Sequence, residues 1–329
     1  MRLKYFNYGD EMNKKLLALG IGLGAAAVVT EFAVHGYLDI MYKETISPGL
    51  IKRIVNSPDK SGVDVFGEFT AESARWINQQ AVEVIDMQSD RGYNLKGYLL
   101  MAKQPSNKFV IFAHGYRSDH LGDPANFEKY YHDKGFNFLS IDHVAAGESQ
   151  GDYVGFGYFE STDMLKWVDY LIQRFSDDIE LIFHGVSMGG ATVCQTASRV
   201  PQQVKLIVSD CAFTSGYDQF TSVANSVGIK KTVPFILKGF NLLNKKLAGF
   251  DFKLTDVRES VKNSKVPMLF VHGSEDDYVP TKMVYELYDI CENEKDLFVV
   301  DGAKHAISIM VDNVGYKAKL DEFIGKYIK

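Results

Sequence analysis

The stretch FHGVSMGGAT, residues 183–192, places one serine, Ser187, between glycines two positions away on each side, and a third glycine, Gly190, follows. Before it runs ELIFHG (180–185), short and apolar; after it runs MGGATVCQTAS (188–198), which reads as a helix. A serine on so sharp a strand-to-helix turn must adopt strained backbone angles. Side chains two residues before and after it would collide, so Gly185 and Gly189 relieve the crowding. Gly190 lets the helix approach the sheet closely. The turn holds the Ser187 hydroxyl out at the edge of the sheet, with a helix N-terminus behind it. This is the pattern of a nucleophile elbow.

The surroundings of this turn set the fold class. From residue 81 onward, short runs rich in Val, Ile and Phe recur, among them LKGYLLMA (95–102), KFVIFAHG (108–115), FNFLSID (136–142), VKLIVSD (204–210), VPMLFVHG (266–273) and DLFVVDG (296–302). Each is too short for an ordinary helix and lacks strict alternation, as strands buried on both faces do. Helical periods lie between them. Met164, Trp167, Val168 and Leu171 follow one, and Leu320, Phe323, Ile324 and Tyr327 follow another. The alternation predicts an α/β fold with a mostly parallel sheet covered by helices on both faces. In such sheets ligands bind beyond the carboxyl ends of the strands.

A serine hydroxyl is a weak nucleophile until a base takes its proton. Two histidines follow Ser187 at a distance, His272 and His305. His272 sits inside the strand-end unit VPMLFVHG and reads as structural. His305 lies in DGAKHAIS, in a loop after a strand, and is the candidate base. The acid that orients it should come from the loop HGSEDDYVP (272–280), where Glu275, Asp276 and Asp277 compete. Spacing alone does not choose among them.

From about residue 81 to its end the chain resembles an α/β-hydrolase of the lipase, esterase and serine-aminopeptidase type. The family's acid segment, HG-x-x-D-x-x-V-P, corresponds to His272, Gly273, Asp276, Val279 and Pro280, so the resemblance gives the acid role to Asp276. The elbow GVSMGG matches, as does the HG pair of AHGYRSD (113–119). By the same resemblance the backbone N–H groups of Tyr116 and Met188 form an oxyanion hole. One segment departs from the family: D-x-R-G-x-G-x-S is here DHVAAGES (142–149), with Val144 and Ala145 replacing Arg and Gly. That puts the local loop shape in doubt, not the chemistry.

The segment 216–260 interrupts the strand-helix rhythm and is expected to be a short helical cap. Phe235 and Phe240 are candidate substrate-binding residues within it. The expected activity is hydrolysis of a carboxylic ester through an acyl-enzyme, with amide or peptide cleavage, or acyl transfer, as alternatives. A non-catalytic binding protein of the same fold is the alternative of another class. No metal or organic cofactor is implied, and the acids of HGSEDDYVP lack calcium-loop spacing.

Composition narrows the partners. A chain of 329 residues with 46% hydrophobic content has enough apolar material for one large domain or two small ones. A net charge of −6 gives no footprint for nucleic acid. Cys194, Cys211 and Cys291 have neither CxxC nor zinc spacing and read as small buried apolar residues. Residues 16–30, LLALGIGLGAAAVVT, are uncharged and follow Arg2, Lys4, Lys14 and Lys15. The run is short for a span. It reads first as a membrane signal anchor with the body outside the cytoplasm. A cleaved signal peptide of a secreted protein, or a helix packed on the domain, are the other readings. The expected organisation is an N-terminal hydrophobic segment at 1–43, a connector with a helix near Trp76 at 44–80, and a hydrolase domain at 81–329.

Overall fold

The computed structural model describes residues 65–226 and 233–328. Eight strands form one sheet: β1 (Val82–Gln88), β2 (Asn94–Leu100), β3 (Lys108–Ala113), β4 (Asn137–Ile141), β5 (Glu180–Val186), β6 (Val204–Asp210), β7 (Met268–Gly273) and β8 (Lys295–Val300). Their spatial order is β1-β2-β4-β3-β5-β6-β7-β8. The β1–β2 and β2–β4 pairs are antiparallel, and all later pairs are parallel.

Successive residues of a strand point to opposite faces. In β3, Phe109 and Ile111 join one core while Val110 and Phe112 join the other, and all four are buried. This is the physical reason why the central strands are apolar without alternation: neither face meets water. The rule fails at the edge. Strand β1 alternates between buried and open positions, with Val84 half exposed, because among the described residues little covers one of its faces.

Helix α1 (Val65–Ile77) precedes β1, and after β3 the helices α2 (Ala125–Asp133), α3 (Tyr158–Arg174) and α4 (Met188–Thr196) alternate with the strands up to β6. Trp167, Val168 and Leu171 of α3 bury one stripe against Phe109 and Leu139 of the sheet. On the opposite face Tyr131 of α2 and Tyr316, Leu320 and Phe323 of the C-terminal helix α10 (Asn313–Tyr327) pack against Phe112 and Val208. The short helices α7 (Arg258–Lys262), α8 (Lys282–Ile290) and α9 (Ser308–Val311) complete the layers.

Between β6 and β7 lie α5 (Gly216–Ser226), α6 (Val233–Leu247) and a 3-10 turn, Phe252–Thr255. Phe220, Phe240 and Phe252 meet there in tilted and edge-on contacts with ring centroids 5.0–5.4 Å apart. Such contacts favour aromatic pairs beyond their area.

The DHVAAGES loop keeps a tight turn. Asp142 is buried and accepts hydrogen bonds from the N–H groups of His120 (2.9 Å) and Glu148 (2.8 Å). Ala145, at the family's glycine position, has φ 64°, a backbone that glycine adopts freely and alanine only under strain.

Residues 1–43, the prolines of the connector and the hydrophobic run at 16–30 lie outside the described residues, so the N-terminal helix expected there has no structural counterpart to report. Among the described residues no helix is long and apolar enough to cross a membrane.

Candidate active site

Ser187 stands between β5 and α4 with φ 57° and ψ −116°, a conformation that L-residues hold only when the surroundings impose it. Its N–H donates to the carbonyl of Asp210 at 2.8 Å, which ties the elbow to the neighbouring strand. The flanking glycines are required by contact. A Cβ on Gly189 would fall on the carbonyl oxygen of Ala113, and one on Gly185 would fall on that of Gly189. At Gly190 it would lie 2.6 Å from the Asp210 carbonyl oxygen.

The Ser187 Oγ is 2.8 Å from His305 Nε2, and His305 Nδ1 is 2.7 Å from Asp276 Oδ2. With Asp276 ionised, the Nδ1 carries the proton and Nε2 is left to accept from the serine. Asp276 is anchored through its other oxygen, which accepts from the N–H groups of Val279 (2.8 Å) and Tyr278 (3.1 Å). Burial alone would raise its pKa. Hydrogen bonds and charge from His272 and His305 outweigh it and hold the carboxyl at about 2.

His272, read as structural, lies fully buried with Nε2 2.9 Å from the Val279 carbonyl and 3.2 Å from Asp276 Oδ2. Two oxygens facing Nε2 assign the proton there. His272 therefore also steadies the carboxylate that His305 uses. Glu275 and Asp277 stay at the surface, so the three consecutive acids are separated by burial.

A second buried carboxyl was missed by sequence reasoning. Asp210 ends β6 and accepts from the Tyr316 hydroxyl at 2.9 Å, and its other oxygen is buried with no hydrogen-bond partner among the described residues. Burial pushes its pKa up to about 6, against the hydroxyl of Tyr316 and the charges of His272 and His305. Tyr316 in turn lies 3.4 Å from His184, whose Nδ1 faces the Tyr131 hydroxyl at 2.9 Å. The signal was available: Asp210 is an acid at the carboxyl end of a strand, VKLIVSD, whose other residues are four apolar ones, one lysine and one serine.

Tyr116 and Met188 both line the cavity that contains Ser187. Met188 opens α4, so its N–H has no carbonyl within the helix to bond. Arg117, next to Tyr116, has φ 65°. The cavity has two limbs that meet at Ser187 and His305. One, of about 410 Å³, is walled by Phe156, Met188, Phe213, Phe220 and Val223. The other, of about 420 Å³, is polar, with Arg117, Ser118, Asp119 and Asp123. Asp123 accepts the Gly115 N–H at 2.7 Å and so fixes the loop that carries Tyr116.

Neither candidate of the segment 216–260 lines the Ser187 cavity. Phe235 is 67% exposed on the outer side of α6, because its helical position faces away from the sheet. Phe240 is 4% exposed and packs behind Phe220 rather than in the cavity. Phe220 of α5 is the aromatic wall that the sequence did not single out. Hydrophobicity alone did not distinguish a wall residue from the one supporting it.

Among the described residues one group of three could ligate a metal: Cys211, Asp276 and His305, with ligand atoms within 4.8 Å of one another. Two of the three are already hydrogen-bonded to each other, and the far nitrogen of His305 faces Ser187. The thiol of Cys211 is pushed well up by burial, which opposes the thiolate a metal would need.

Comparison with known proteins agrees with this arrangement. The family described as serine aminopeptidase, S33 matches residues 104–248, and the family described as serine hydrolase (FSH1) matches residues 243–307. A Bacillus subtilis protein, YqkD, described as uncharacterized, is 26% identical over 315 residues, covering 94% of this chain and 97% of that protein. The structure is similar to a Pyrococcus furiosus esterase, Pf2001 (TM-score 0.62, 20% identity, 84% of this chain and 98% of the other). It is also similar to an acylaminoacyl peptidase (TM-score 0.57, 16% identity, 75% of this chain and 42% of the other). Two family matches that together cross the elbow, the acid loop and His305, and a sheet shared with esterases and peptidases, lead to one conclusion: the chain is a serine hydrolase with the α/β-hydrolase fold.

Proposed function

We propose that the protein cleaves carboxylic esters through an acyl-enzyme formed on Ser187. The observation that carries this reading is the unbroken line from Ser187 Oγ to His305 Nε2 (2.8 Å) and from His305 Nδ1 to Asp276 Oδ2 (2.7 Å), at the junction of an apolar and a polar cavity. His305 takes the serine proton as Oγ attacks the acyl carbon. Asp276 holds the imidazole tautomer and stabilises the imidazolium. The N–H groups of Tyr116 and Met188 receive the oxyanion, each donor worth about 2.7–4 kcal/mol of barrier. His305 returns the proton to the leaving alcohol, and a water activated by the same nitrogen releases the acid. The apolar limb suits the acyl chain and the polar limb the alcohol.

The test is labelling with a fluorophosphonate, followed by turnover of esters graded in acyl length beside matched aminoacyl amides. The label should attach at Ser187, and Ser187→Ala and His305→Ala should each lower ester turnover by about 10⁴-fold or more. Amides hydrolysed faster than matched esters would replace this reading with peptide cleavage. Phe220→Ala should reorder the preference among acyl lengths. Phe240→Ala should lower stability without reordering it, and Phe235→Ala should do neither.

We also propose, on sequence alone, that residues 16–30 tether the body to a membrane with the hydrolase domain outside the cytoplasm. What supports it is an uncharged run preceded by four basic residues. Full-length protein in the soluble cytosolic fraction would overturn it.

A further inference from the structure

From Gln219 to Phe250 the chain carries five lysines, Lys230, Lys231, Lys238, Lys245 and Lys246, and no acidic residue, although the whole chain has a net charge of −6. The helix α6 lies in this run. Its inner face buries Val233, Leu237, Phe240 and Asn244. Its outer face presents Phe235, Lys238, Leu242 and Lys246, spaced three to four residues apart on one stripe. Phe235 and Leu242 are 67% and 63% exposed, among the most open large apolar side chains of the described residues. Lys245 flanks the stripe and pairs with Asp251. Beside it a recess of about 620 Å³, with Tyr217 and Leu237 in its wall and Lys238 and Lys253 at its rim, separates α6 from α5. On its other side α5 supplies Phe220 and Val223 to the catalytic cavity.

Exposed Phe and Leu interleaved with lysines on one helical face form the pattern of a helix that lies in a bilayer interface. We propose that this outer face of α6 docks on an anionic lipid surface, with Phe235 and Leu242 entering the headgroup layer and the lysines meeting lipid phosphates. The charge pattern favours this occupant over others. A second copy seated by a two-fold axis would set lysines against lysines. Nucleic acid would engage the lysines and leave Phe235 and Leu242 in water. A lipid surface takes both. Docking would bring a water-insoluble ester to within one helix of the Ser187 cavity.

The test uses the full chain with Leu242→Cys carrying an environment-sensitive dye, the three native cysteines being buried. Vesicles of phosphatidylcholine with about one-third phosphatidylglycerol should shift the emission to the blue, and pure phosphatidylcholine should not. The same dye on Val314→Cys, an open apolar position on α10 at 82% exposure, should stay unchanged in both. Each lysine near such a surface strengthens partitioning by about fivefold, so Lys238→Glu with Lys246→Glu should weaken the response by at least about 25-fold. Turnover of a short soluble ester should remain at the parent level. Equal response to neutral and anionic vesicles, or none to either, overturns the proposal. So does a dye already shielded before lipid is added: dependence on protein concentration would then identify a second copy, and independence would identify the chain's own N-terminal residues. A chain inactive on every ester would leave the dye readout intact, so this failure and that of the hydrolase reading are separate.

Discussion

After β6 the chain delivers Asp210 to the carboxyl edge of the sheet, and after β7 it delivers Asp276 to the same neighbourhood. Both carboxyls are buried, and both lie close enough to His272 and His305 to feel their charge. Yet one is held at about 2 and the other is pushed up to about 6. The difference lies in the donors. Asp276 receives two backbone N–H groups and two imidazoles, so its charge is met on every side. Among the described residues Asp210 receives one tyrosine hydroxyl and leaves one oxygen with no hydrogen-bond partner, and the nearby charge of Asp276 raises it further. Burial penalises a charge wherever it occurs, and the number of donors decides the sign of the shift.

The largest effect expected from this comparison is on turnover. Asp276→Asn should lower kcat/KM by about 10⁴-fold, because an amide in place of the carboxylate no longer fixes the His305 tautomer. Asp210→Asn should lower it by less than about tenfold, because Asp210 acts on His305 only through charge at a distance. Asp277→Asn should leave it unchanged. Steady-state kinetics on one good ester separates the three. Equal losses at Asp210 and Asp276 would mean that both carboxyls orient the histidine, and the distinction would collapse.

Stability against pH should show the two loops acting in opposite directions. Asp276 has a folded pKa below its unfolded value, so its contribution is fully present above about pH 4 and is lost as pH falls toward about 2. Asp210 has a folded pKa above its unfolded value. Its contribution is fully present below about pH 4 and is lost as pH rises through about 6. Asp210→Asn removes that loss. Relative to the parent, the variant should therefore gain about 2–3 kcal/mol between about pH 4 and pH 7, at about 1.4 kcal/mol for each pH unit that separates the folded from the unfolded pKa. Urea unfolding at the two pH values measures it. A difference that does not change with pH would show that Asp210 holds its proton throughout, or never.

Tyr316→Phe sharpens the same point with a smaller change. It removes the one hydroxyl that Asp210 has and leaves the ring's packing in place. A buried carboxyl that loses its donor should cost about 1–3 kcal/mol above pH 6, where the group is charged, and less below pH 4. Asp210→Asn combined with Tyr316→Phe should cost less than the sum, since both act on one contact.

The two loops also differ in how legible they are. HGSEDDYVP carries a motif, and its resemblance to the family's acid segment assigns Asp276 by position alone. Asp210 has no motif. It stands at the end of an apolar strand, and its importance comes from Tyr316, 106 residues later, and from His272 and His305. Such a cluster exists only after folding. The elbow lies at the legible extreme, because Gly185, Gly189 and Gly190 are local consequences of one turn. The central strands were legible for a similar reason: burial on both faces leaves an unbroken apolar run. The segment between β6 and β7 lies at the other extreme. Its helices can be read from periodicity, but which aromatic faces the cavity depends on how α5 and α6 are turned. That is why Phe220, and not Phe235 or Phe240, forms the wall.

The smallest effect expected is no effect, and it concerns Cys211. This residue follows Asp210 directly, has φ 44°, and lies within 4.8 Å of ligand atoms of both Asp276 and His305. A thiol so close to a histidine invites the expectation of a reactive cysteine. The structure argues otherwise. The side chain is fully buried, and burial together with the charges of Asp210 and Asp276 pushes its thiol well above the ordinary range. A thiolate is what alkylating reagents attack, and neither charge nor exposure supplies one here. Iodoacetamide at neutral pH should therefore leave ester turnover at its starting level while the fold is intact. In denaturant the same reagent should modify all three cysteines. Rapid inactivation of the native enzyme, with Cys211 as the modified residue by mass spectrometry, would show that the loop after β6 opens. The contrast between a reactive loop after β7 and an inert one after β6 would then hold only for the closed state.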